Sequence, residues 1–76
     1  METKPNTITL RLEPENEQSE VPRPKTVQQL LNRLGLRSTG CLVIRDEATG
    51  KRTLLTPDLR LENGDVITVR KVTSSG

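Results

Sequence analysis

Hydrophobic and polar positions alternate at the start of this chain. Ile8, Leu10 and Leu12 are interleaved with Thr7, Thr9 and Arg11, a period of two that predicts a strand with one buried face. Pro14 stops that strand. The acidic stretch from Glu13 to Glu20 then reads as a loose, solvated segment. It lacks the glycine and the ligand spacing of a calcium loop. Val21 is expected to return as a short second strand in a wide hairpin, with Pro22 and Pro24 keeping the chain extended beyond it.

The period then changes to that of a helix. Val27, Leu30, Leu31 and Leu34 fall at i, i+3, i+4 and i+7 and so share one face. Thr26 and Gln29 are spaced as a capping box, and Gly35 stands where a left-handed C-cap is wanted, with Leu36 folding back over the end. This predicts a short core helix. Cys41 to Arg45 is a compact apolar run that reads as a third strand. Asp46 to Lys51 forms a turn and Arg52 to Leu55 returns as a fourth strand. Thr56-Pro57-Asp58 starts a tight turn, and Leu59 and Leu61 anchor the following connection. Asn63-Gly64 then turns the chain into a last strand rich in β-branched residues, Val66, Ile67 and Val69. The order β–β–α–β–β–β predicts one small α+β domain over residues 1–76, a mixed sheet of four to five strands packed on one helix. Residues from about 72 to 76 are expected to form a flexible tail.

Composition narrows the core chemistry. The chain has 76 residues and no Phe, Tyr or Trp, so the core must be aliphatic. A net charge of +2 is too small to indicate nucleic acid by itself, and there are no aromatic rings on which bases could stack. The longest apolar run, Cys41 to Ile44, is far too short for a bilayer span, and the N-terminus lacks the apolar core of a signal peptide. A cytoplasmic monomer is the expectation.

Enzyme chemistry has little to work with. There is no His to serve as a base. The single Cys excludes an internal disulfide and reads as a small buried hydrophobe. Neither a zinc pair nor a phosphate-loop spacing is present.

Three segments, Thr26 to Leu36, Leu42 to Arg45, and Leu54 to Asp65, resemble in order and spacing the ThiS/MoaD sulfur-carrier family of ubiquitin-like β-grasp proteins. The resemblance covers most of the chain from Ile8 onward. It implies that a ThiF/MoeB-like, E1-like enzyme uses ATP to adenylate the carboxylate of Gly76. Sulfur then replaces the adenylate to leave a thiocarboxylate, which passes to a sulfur acceptor enzyme in thiamine, molybdopterin or tRNA thiolation chemistry. Thr73, Ser74 and Ser75 would thread into the activating site, where small side chains are needed. The family usually ends in Gly-Gly. Here Ser75 adds a Cβ and removes much of the positive-φ freedom, while Gly76 keeps the carboxylate.

The β-grasp order places the first and third strands on either side of the last. With Ile8, Leu10, Leu42, Ile44, Ile67 and Val69 toward the helix, Arg11, Arg45 and Arg70 would share the open face. Val43 and Val66 would add apolar contact to this patch, which is the expected docking face for the activating enzyme. Two other functions remain open. One is a covalent protein modifier joined through Gly76 to a target lysine. The other is a non-covalent interaction module with an inert tail.

Overall fold

A computed structural model of the chain describes residues 6–13 and 15–72. Five strands and one helix follow in the order β1 (Thr7–Glu13), β2 (Glu17–Pro22), α1 (Val27–Leu34), β3 (Cys41–Asp46), β4 (Arg52–Leu55) and β5 (Val66–Lys71), with a 3₁₀ turn at Ser38–Gly40 before β3. The sheet order is β2-β1-β5-β3-β4. Strand β5 is thus central, parallel to β1 and antiparallel to β3. Hairpins add β2 outside β1 and β4 outside β3.

Each end of α1 is closed by local chemistry. The Thr26 hydroxyl accepts from the Gln29 amide at 3.3 Å, while the Gln29 side chain accepts from the Lys25 amide at 3.0 Å. The return bond of the predicted box therefore lands one residue earlier than expected. The Val27 and Gln28 amides donate to the carbonyls of Leu59 and Pro57 at 3.0 and 2.9 Å, which fastens the helix start to the β4–β5 connection. Gly35 takes φ +71, and the Leu36 amide reaches back to the Leu31 carbonyl at 2.9 Å. That six-residue closure with a left-handed glycine terminates the helix.

Helix α1 lays Val27, Leu30 and Leu31 on the sheet, where they meet Ile8, Leu10, Val43, Ile67 and Val69 in one aliphatic cluster. Leu61 is buried there at 1% exposure, but Leu59 remains 39% exposed, so only one of the two expected anchors holds the connection.

Two expectations need correction. The segment from Glu17 to Pro22 is no loose loop: it pairs residue by residue with β1, from Leu12 opposite Glu17 to Thr7 opposite Pro22. Its side chains are almost all exposed, because an edge strand needs only backbone pairing, and its charges keep the free edge from recruiting other strands. The second correction is the phase of β3. Val43 pairs with Val69 and is 4% exposed, whereas Leu42 is 42% exposed. Cys41, Val43 and Arg45 therefore lie on the helix side, and Leu42, Ile44 and Asp46 on the open side. An uninterrupted apolar run does not reveal which parity is buried.

Candidate functional site

The open face of the sheet is organised around Asp46. One carboxylate oxygen accepts from Arg52 Nε across the β3–β4 hairpin at 2.7 Å. The other accepts from the Thr68 hydroxyl on β5 at 3.0 Å and lies 4.0 Å from an Arg11 guanidinium nitrogen on β1. Four strands thus converge on one carboxylate. Thr68 is 1% exposed on this side, and its hydroxyl is satisfied by that bond.

Beside this polar centre lies an apolar strip. Ile44 stands directly opposite Leu54, and Leu42 is the next residue of β3 on the same side. Leu54 is 63% exposed and Leu42 42%. Leu42 pairs with Arg70, and Cys41 with Lys71, so the strip reaches the end at which β5 leaves the sheet. The Val72 amide donates to the Gly40 carbonyl at 2.9 Å, holding the chain to β3 up to that point. The expected tail residues Thr73, Ser74, Ser75 and Gly76 lie outside the described residues.

The five expected docking residues do not share one face. Arg11, Val66 and Arg70 stand on the open side, as the pairs Thr9–Val66, Arg11–Thr68 and Glu13–Arg70 require. Val43 is in the core. Arg45 pairs with Ile67 on the helix side, and its guanidinium contacts Asp65 Oδ2 at 3.1 Å and donates to the Arg60 carbonyl at 3.0 Å. Leu42 and Ile44 lie on the open face because β3 has the phase opposite to the one expected, and Leu54, for which the sequence indicates no side, joins them. A signal was available in the hairpin. Asp46 and Arg52 flank its turn as an opposite-charge cross-strand pair, which marks a solvent side, and Ile44 and Leu54 stand two residues further along the same side.

The Cys41 thiol donates to the Arg37 carbonyl at 3.2 Å, and burial pushes its pKa upward. Both effects favour the unreactive thiol over the thiolate. In the β1–β2 turn, the hydrogen bond from Lys71 at 2.8 Å holds the Glu15 carboxyl below its ordinary range. The Thr56 hydroxyl, 2.6 Å away, does the same for Asp58. Among the described residues, no three His, Cys, Asp or Glu side chains gather as metal ligands, and no helix is long and apolar enough to cross a membrane.

No protein-family model matches the chain, and no curated protein sequence matches it. Among solved structures it is similar to the C-terminal ubiquitin-like domain of mouse tubulin-specific chaperone e, with 27% identity and a TM-score of 0.61. The likeness covers 92% of this chain and 89% of the mouse domain. The fold is a ubiquitin-like β-grasp: a five-stranded mixed sheet packed on one helix.

Proposed function

We propose that this domain is a ubiquitin-like sulfur carrier, and that the reactive group is the carboxylate of Gly76. The observation that carries the reading is the exit of β5. The central strand, paired on both sides, ends beside a strip of exposed Leu42 and Leu54 and half-buried Ile44, with Arg11 and Arg70 near it, and Thr-Ser-Ser-Gly follows in the sequence. The three segments that resemble the carrier family supply α1, β3 and the connection into β5, the parts that set this geometry.

The chain would act as substrate, not catalyst. An E1-like enzyme grips the open face through the apolar strip, with Arg11, Val66 and Arg70 at its margin. The Gly76 carboxylate attacks the α-phosphorus of ATP and pyrophosphate leaves; hydrosulfide delivered by a donor enzyme then attacks the acyl carbon and displaces AMP, leaving the thiocarboxylate. Small residues in the tail let the backbone enter a narrow site.

The intact mass of the untagged protein recovered from its own host tests this. Replacement of one oxygen by sulfur at the C-terminus is the expected result, and a branched peptide linking Gly76 to a lysine would instead mark a covalent modifier. A plain carboxylate, unchanged after incubation with ATP and the host's E1-like enzymes, would overturn both.

A second reading is favoured by the likeness to a domain of a chaperone. In it, the same strip binds a protein partner non-covalently and the tail is inert. Its mark would be a complex that forms without ATP and survives removal of residues 73–76.

A further inference from the structure

A different end of the molecule collects positive charge. Arg23 from the β2–α1 connection, Arg45 from β3 and Arg60 from the β4–β5 connection line one hollow. Lys25 borders the adjoining one together with Arg23 and Arg60. These segments are fixed relative to one another. Thr26 bridges to Arg60, and the Leu61 amide donates to the Lys25 carbonyl at 3.1 Å. Two of the guanidinium groups are tied to consecutive carbonyls: Arg45 to that of Arg60 at 3.0 Å and Arg23 to that of Leu61 at 2.9 Å.

Positive charge exceeds negative at the hollow, where, of the described residues in the lining, Glu62 is the one carboxylate. Among the described residues, Arg45 has Asp65 as an ion-pair partner, while Arg23, Lys25 and Arg60 have none. The Nε groups of Arg23 and Arg45 are buried with no hydrogen-bond acceptor. These two atoms are covered by protein, so an occupant of the hollow would meet the outer nitrogens of the guanidinium groups.

We propose that this hollow is an oxyanion site for a phosphoryl group, borne either by inorganic phosphate or by the phosphate chain of a nucleotide. Guanidinium forks held in place by backbone acceptors suit a tetrahedral anion, whose several oxygens can accept from three directions at once; a carboxylate offers only two. The start of α1 lies nearby but supplies no free amides. Val27, Gln28 and Gln29 already donate to Leu59, Pro57 and Thr26. Recognition therefore rests on side chains, Arg60 above all, since it is exposed and able to close over the anion. The site lies near the start of β5, away from the tail, so it stands or falls independently of the carrier reading.

The experiment is an NMR titration of the isotope-labelled full chain with inorganic phosphate and with ATP, at constant ionic strength against chloride. The expected result is saturable movement of the Nε–H resonances of Arg23, Arg45 and Arg60. Arg60→Glu should weaken it about tenfold or more, and Arg37→Glu, an equal charge change elsewhere on the surface, should leave it intact. Equal affinity for both probes assigns the site to a lone phosphoryl group, and tighter ATP binding assigns it to a nucleotide's phosphate chain. Shifts that match those in chloride, or that survive Arg60→Glu with core resonances unmoved, would overturn the proposal.

Discussion

The two faces of the sheet are made by the same strands but kept by different forces. On the helix side, Ile8, Leu10, Val43, Ile67 and Val69 are sealed by α1 and held by exclusion of water. On the open side a carboxylate, Asp46, gathers Arg11, Arg52 and Thr68, and Leu42, Ile44 and Leu54 are left in contact with solvent. One face spends its apolar residues on stability. The other leaves some of them uncovered, where a partner can use them.

The widest gap between the faces should appear on truncation. Leu30→Ala, at 2% exposure under the helix, is expected to cost about 2–5 kcal/mol. Chemical denaturation would measure it, and a loss under about 1 kcal/mol would mean that the covered face contributes far less than its burial implies.

Thr68→Val tests the polar centre of the open face. It keeps the β-branched shape but removes the donor at 3.0 Å from Asp46. A loss of about 1 kcal/mol is expected, again from a denaturation midpoint. No loss would show that the two arginines satisfy Asp46 unaided.

Leu54→Ser should change stability by no more than about 0.5 kcal/mol, since that side chain is 63% exposed. Its effect belongs to docking. Capture by an E1-like enzyme, or by whichever protein uses this face, should fall while the denaturation curve stays in place. A drop in stability equal to that of a core truncation would erase the distinction between the faces.

The smallest effect concerns exposed carboxyls at the margins. Glu15 and Asp58 have folded pKa values below their ordinary ones, through Lys71 and Thr56 respectively. The unfolded chain then binds protons first on acidification. The stability from these contacts is present above the ordinary carboxylate range and is lost as pH falls through the lowered folded values. Lys71→Met should flatten part of that acid-side decline in melting temperature. Because both carboxyls are exposed and screened by solvent, the change should be slight.

Much of this architecture was legible wherever side-chain periodicity and local capping agree. The stripe from Val27 to Leu34 with Thr26 before it and Gly35 after it specifies α1 on chemistry confined to ten residues. The alternation of Ile8 and Leu10 against Thr9 and Arg11 gives β1 its buried side. The hairpin return at Val21 was legible, and it pairs with Ile8, but the extension of β2 back to Glu17 was not, because an edge strand is stabilised by backbone bonds that leave no trace in its polar side chains. The open face was half legible: Arg11, Val66 and Arg70 lie where alternation along β1 and β5 puts them, but Val43 and Arg45 had to change sides when β3 took its register on Val69 and Ile67.

What the sequence determined by itself is therefore the set of elements with strong local signals and the aliphatic nature of the core. Those depend on neighbours within a turn or two of chain. Only the tertiary structure decided the parity of β3, the pairing of residues 17–20 with β1, and the meeting of Arg23, Arg45 and Arg60 at one hollow. Each of these joins residues far apart in sequence, through sheet register or through a bridge between loops, and no local pattern encodes which distant partner a side chain will meet.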